Sequence, residues 1–179
     1  MCERLLAISD THGSVKTLAL ALRWAETLKP SAAAFMGDGL PDVERASTEA
    51  RFSCHWYKVC GNNDFGSRQK EAAVFDFGGH RFFICHGHRY GLYNGNEVLA
   101  AAARNNGAAV ALFGHLHVPS VDYANGVMLV NPGSLGSPCS AVGATFAIIE
   151  CNPGEPPKPV FWGIDRGGNI SRVSAGKAF

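Results

Sequence analysis

Short apolar runs alternate with polar, glycine-containing turns along most of this chain, and the runs change period as they go. Leu5 to Ile8 is unbroken, the pattern of a strand buried on both faces. Ser14 is then placed to cap a helix from Val15 to about Leu28. Val15, Leu18, Leu22 and Ala25 recur at helical spacing and Pro30 ends it. Ala32 to Met36 reads as a second buried strand, Asp42 to Ala50 as a polar helix or turn, and Trp56 to Val59 as a third strand. Ala73 to Phe77 and Arg81 to Cys85 flank Gly78-Gly79, a hairpin signal. Asn96 is placed to cap an alanine-rich helix that stops at Gly107, and Ala109 to Phe113 is another buried run. Val121 to Tyr123 and Val127 to Val130 bracket Asn125-Gly126, a strong two-residue hairpin turn. Phe146 to Ile149 and Val160 to Ile164 pair across a proline-rich loop. Early βαβ units followed by hairpins predict mixed sheets covered by helices.

Composition narrows this picture. A chain of 179 residues is long enough for one cored domain and short for two. Sixteen basic against 15 acidic side chains leave a formal charge of +1, so no basic excess points to nucleic acid or a membrane surface. An anionic substrate would then need bound metal to supply positive charge. No signal-peptide pattern opens the chain, and no run approaches the roughly 20 apolar residues of a membrane span, so a soluble, cytoplasmic protein is expected. The six cysteines show no CxxC pair and read as reduced thiols. The Gly- and Ser-rich segment after Arg166 is expected to add little to the core.

Chemistry enters at the strand ends. LLAIS runs into Asp10 and His12, AAAFMG into Asp38, HWYKVCG into Asn62, RFFIC into His86, and VALFG into His115 and His117. In open α/β sheets, functional groups collect beyond the carboxyl ends of strands, so five such ends predict one shared crevice. Two carboxylates, an amide carbonyl and four imidazoles form a mixed O/N set suited to borderline divalent ions, and seven ligands suit two ions better than one. With no GxSxG-type nucleophile, water is the expected attacking group.

SDTHG, GDG, GNND, HGH and GHLH stand in the order found in calcineurin-like metallophosphoesterases, and Asn131-Pro132-Gly133-Ser134 resembles a loop of their small bacterial and archaeal branch. The resemblance spans Ile8 to Ser134. It implies a four-layer α/β/β/α sandwich of two mixed β-sheets flanked by helices; from length and composition, residues 1–179 are expected to form one domain with 166–179 as a loosely ordered tail. It also implies two divalent ions, Mn²⁺ favoured over Ni²⁺, Fe²⁺, Zn²⁺ or Mg²⁺. Asp10, His12, Asp38 and His117 would hold one ion; Asp38, Asn62, His86 and His115 would hold the other, with Asp38 as the bridge. A bridging hydroxide would attack phosphorus in line.

The expected function is a metal-dependent phosphoesterase acting on a small phosphate ester, with a phosphodiesterase favoured. A phosphomonoesterase and a non-catalytic protein-binding scaffold of the same fold are the alternatives, and a homodimer or higher homo-oligomer stays open. Larger relatives carry His where this chain has Asn63, which cannot donate a proton at neutral pH; this leaves the general acid unassigned, with His88 and His12 as candidates. Asp38 and Asn62 complete the expected catalytic group. Asp64 either orients Asn62 or a water, or caps a turn; His55 and His80 lie outside every motif. The intervals between motifs hold no cap domain, which predicts an open site.

Overall fold

The computed structural model describes residues 2–176. Eleven strands form two sheets. The first has the order β11-β10-β9-β1-β2-β3, where β1 is Glu3–Ile8, β2 Ala32–Phe35, β3 His55–Lys58, β9 Ala144–Cys151, β10 Lys158–Ile164 and β11 Ile170–Val173. The second has the order β4-β5-β6-β8-β7, with β4 Ala72–Phe77, β5 His80–Cys85, β6 Val110–Leu112, β7 Pro119–Ala124 and β8 Val127–Pro132. Strands β1, β2 and β3 are parallel neighbours, as are β5, β6 and β8, while β9, β10, β11, β4 and β7 pair antiparallel. Both sheets are therefore mixed, as expected.

The alternation hidden inside the apolar runs decides the layering. Leu5 and Ala7 of β1 face the second sheet and meet Phe82, Ile84, Leu112 and Val130. Leu6 and Ile8 face the other way, onto Leu18 and Leu22 of helix α1 (Val15–Ala25) and Val43 and Ala46 of helix α2 (Leu40–Ala50). On the far side, Leu99, Ala100 and Ala103 of helix α3 (Glu97–Asn105) cover Phe83, Ala111 and Phe113. A strand clothed on both faces needs apolar side chains at every position, which is why β1 shows no period in sequence. The layers are α1/α2, first sheet, second sheet, α3.

Both hairpin turns sit where the sequence put them. Asn125 and Gly126 have φ of 51° and 77°, the left-handed pair that a two-residue turn between twisted strands requires. Two details differ from expectation. Ser14 and Asn96 occupy the residues before α1 and α3, yet neither side chain makes a capping hydrogen bond. The segment after Arg166 contains β11, which pairs with β10 and packs Ile170 and Val173 against the two cores; residues 177–179 lie outside the described ones. Among the described residues no helix is long and apolar enough to cross a membrane.

Rings join the sheets. Tyr57 of β3 stacks on Phe75 of β4 at 3.6 Å, and Phe75 stacks on fully buried Phe82 of β5 at 5.4 Å. Phe82→Ala opens a cavity between the sheets and is expected to cost about 3–5 kcal/mol, read as a lower urea midpoint at unchanged m-value.

Candidate metal centre

The carboxyl ends of β1, β2, β5 and β6 meet at one edge where the two sheets touch, and the expected ligands gather there from both sheets. Asp10 leaves β1 fully buried. Its Oδ2 accepts hydrogen bonds from Ser9 Oγ at 2.5 Å and from the His115 backbone N–H at 3.1 Å. Its Oδ1 is buried without a hydrogen-bond partner. His117 Nε2 stands 3.0 Å from that oxygen but is not aligned to donate to it. His12 Nε2 lies 3.7 Å away and His86 Nε2 3.9 Å away. Asp38 Oδ2 lies 3.4 Å from His86 Nε2 and 3.9 Å from His12 Nε2. Ligand atoms of Asp10, His12 and His117, and separately of Asp10, Asp38 and His86, fall within 4.8 Å of one another, two groups able to hold a divalent cation.

The imidazoles are oriented for that task. His86 sets Nδ1 against the Met36 carbonyl at 2.7 Å, and His117 sets Nδ1 against the Ser137 carbonyl at 2.6 Å. A carbonyl can only accept, so each Nδ1 carries the proton and each Nε2 presents a lone pair to the carboxylates. His86 Nε2 is buried with no partner. Lone pairs facing carboxylate oxygens in a dry site repel, and a cation between them removes the conflict. The donor set thus fits divalent metal on this structure's own geometry.

Electrostatics agree. Contact with the Asp10 carboxylate raises the His117 pKa against the opposing effect of burial. Burial, with the neighbouring His86 adding to it, lowers the pKa of both His115 and His88, which favours their neutral form. The Asp64 carboxyl would rise through burial, but four backbone N–H groups, from Asp38, Gly39, Leu40 and Gly61, together hold it below the ordinary carboxylate range.

Other expected residues lie nearby in different roles. The His115 ring packs 5.2 Å from His86 and the His88 ring 5.5 Å from it, both outside the two groups. Asn62 is exposed and lines a cavity of about 370 Å³ with His88. It is Asn63 that reaches Asp38, with its backbone N–H on Oδ1 at 2.8 Å and Nδ2 on Oδ2 at 2.5 Å. Asp64 resolves to a structural role: it gathers the N–H groups that open α2 and fix the turn carrying Asp38, rather than capping the turn that follows it. His55 and His80 begin β3 and β5, at the strand ends opposite to those that carry the ligands.

Sequence reasoning missed the supports. Ser134 Oγ donates to the Asp10 carbonyl at 2.7 Å and accepts from the Gly136 and Ser137 N–H groups. Asn131 Nδ2 holds the Gly114 carbonyl at 2.7 Å. Asp42 accepts from Thr11 Oγ1 at 2.6 Å and Gly13 N–H at 2.8 Å, bracing the loop that carries His12. Only the turn composition of residues 131–134 signals any of this.

The calcineurin-like phosphoesterase superfamily domain matches residues 4–154. A probable metallophosphoesterase of Mycoplasma genitalium is 32% identical over 141 residues, covering 75% of this chain and 78% of that protein. Among solved structures, a conserved uncharacterized protein of Streptococcus pneumoniae, described as a predicted phosphoesterase, superposes with a TM-score of 0.77 at 25% identity, over 97% of this chain and 98% of the other. A novel archaeal phosphodiesterase shares the fold at a TM-score of 0.65 and 17% identity, over 95% and 98% of the two chains.

Two outcomes follow from this geometry. Saturating Mn²⁺ is expected to raise the thermal midpoint at pH 7.5, and the gain shrinks as pH falls, because the raised His117 pKa lets a proton compete with the cation; Asp10→Asn loses most of the gain. Asp64 has its pKa depressed in the folded state, so its contribution is complete above the unfolded value near 3.8 and is lost as pH falls through the lower folded value. Asp64→Asn therefore destabilises at pH 7 and loses less further stability on acidification than the parent, measured by urea unfolding at pH 7 and pH 3.

Proposed function

We propose that this chain hydrolyses phosphodiesters with the help of two divalent cations: it belongs to the calcineurin-like phosphoesterase superfamily, and the geometry of its buried carboxylates and imidazoles supports that chemistry. The observation that carries the proposal is the pair of buried, unanswered atoms, Asp10 Oδ1 and His86 Nε2, only 3.9 Å apart and ringed by further ligating nitrogens. Asp10, His12, Asp38 and His117 would hold one ion, and Asp38, Asn62, His86 and His115 the other. Asp38 suits the bridging place because its Oδ2 faces His12 and His86, one member of each set. Asn63 Nδ2 now answers that same oxygen, so this hydrogen bond competes with cation binding.

When bound, the cations supply Lewis acidity at the phosphoryl oxygens and a water acidic enough to attack phosphorus near neutral pH. The rest of the work belongs to side chains. Asp10 and Asp38 set the negative charge of the cradle, and the Nδ1 anchors on His86 and His117 hold their rings so that Nε2 needs no reorganisation. His88 is the proposed hydrogen-bond donor to the leaving oxygen, acting through an N–H of the neutral ring that its lowered pKa favours. It stands one ring beyond His86, borders the cavity that Asn62 lines, and has a buried Nδ1 free of hydrogen bonds.

Diesters are favoured by the openness of the site. Two cavities, of about 700 and 370 Å³, border the cluster and share the loop from Asp64 to Ser67, so both substituents of a diester can be received. Mn²⁺ is the proposed ion, the donor set being equally open to Ni²⁺, Fe²⁺, Zn²⁺ or Mg²⁺. Hydrolysis of bis-p-nitrophenyl phosphate is expected to exceed that of p-nitrophenyl phosphate across a panel of these ions. Asp38→Asn should lower turnover by several orders of magnitude and reduce bound metal. A reversed ester preference makes the protein a monoesterase; inactivity with every ion ends the hydrolase reading.

A further inference from the structure

The larger cavity extends beyond what phosphoryl chemistry requires. Besides His12 and Asp38, its lining includes Lys58 at the end of β3, and Phe65 and Arg68 in the loop that follows. Lys58 is half-buried, and neither it nor Arg68 makes an ion pair or side-chain hydrogen bond among the described residues. A partly desolvated ammonium that pairs with no carboxylate favours an anion arriving from outside. The opening N–H groups of α2, which would otherwise attract an anion, already donate to Asp64, so the cationic side chains are the groups left for that role.

Phe65 adds a second chemistry. The residue is 88% exposed, the most exposed of the large apolar residues among those described, and it stands at the rim of this cavity. The residue before it, Asp64, is pinned by four hydrogen bonds, so the ring is carried on an anchored loop. An exposed ring on an anchored loop, bordering the same cavity as unpaired cations, is a platform for a flat heterocycle bearing negative charge. The acidic groups of the same wall do not oppose this evenly: Asp38, Asp42 and Asp64 are answered by O–H and N–H donors, which leaves exposed Glu44 as the carboxylate that would repel.

We infer that this cavity binds the unreacting part of a nucleotide-like ester, its ring against Phe65 and a second phosphate between Lys58 and Arg68. The inference rests on the phosphoesterase reading and names its substrate class.

The test compares the p-nitrophenyl ester of thymidine 5′-phosphate with and without a 3′-phosphate on the Mn²⁺-loaded protein. Calorimetric binding of thymidine 3′,5′-bisphosphate against thymidine 5′-monophosphate accompanies it. The 3′-phosphate is expected to lower KM and Kd by about tenfold, the worth of one charge-assisted hydrogen bond. Lys58→Ala and Arg68→Ala each shrink that advantage, Glu44→Gln enlarges it, and Phe65→Ala weakens both nucleotides alike. Lys158→Ala, an exposed cation on β10 outside the cavity, leaves the ratio unchanged. Equal KM and equal Kd for the two members of each pair overturn the subsite while leaving the hydrolase standing. Discriminating nucleotide binding without turnover of any ester overturns the hydrolase reading and leaves the subsite standing.

Discussion

A carboxylate removed from water must have its lone pairs answered, and Asp10 is where that requirement organises the molecule. Oδ2 is answered twice, by Ser9 from its own sheet and by the His115 backbone from the other, so a single oxygen ties the two sheets together at their shared edge. The closeness fixes the neighbouring residue as well: a Cβ on Gly114 would stand 2.5 Å from Asp10 Oδ2 and 2.0 Å from Ser9 Oγ. His86 makes the reciprocal tie, leaving β5 of the second sheet and donating to the carbonyl of Met36 beside β2 of the first. What these ties leave over is one carboxylate oxygen and one imidazole nitrogen, each buried and unanswered. A protein tolerates such groups, each costing on the order of 1–3 kcal/mol, where something else completes them.

The backbone carries a cost at the same place. Eight non-glycine residues among those described have positive φ, and five of them are Asp10, His12, Asp38, His115 and His117. Left-handed backbone costs an L-residue roughly 1–2 kcal/mol, so its concentration at one edge requires compensation nearby. The hydrogen bonds of Asp64 to the Asp38 turn, of Ser134 to the Asp10 carbonyl and of Asn131 to the Gly114 carbonyl supply it. These side chains act on the backbone of the ligand-bearing loops, and their removal would misplace ligands that are themselves intact.

Much of the fold was legible because each device that sets it is local. The unbroken Leu5 to Ile8 run, the Asn125-Gly126 turn and the helical spacing behind Val15 each announce one element, and five strand ends bearing ligand types announced the crevice. What was not legible depends on contacts between distant segments. Asp64 lies three residues past Gly61 but serves a helix that begins 24 residues earlier, and no spacing rule links the two. Asn62 and Asn63 are chemically identical, so nothing local shows which amide faces Asp38. Strand β11 was missed because its residues, Ile-Ser-Arg-Val, form too short a pattern to register until β10 is there to receive them.

The centre also divides into unequal halves, and the division bears on how a substrate would reach it. Asp10, Asp38 and His86 are buried, and His86 is held by the Met36 carbonyl against the floor of the cleft. His12 is exposed, and its Nε2 lies 3.2 Å from His117 Nε2. Asp10, Asp38 and His86 are therefore screened from water, whereas His12 is open to it. His12 is also the histidine that lines the larger cavity. In the proposed reaction a phosphate entering from that side would meet the exposed histidine first, and the cations held by the buried carboxylates would set where phosphorus comes to rest.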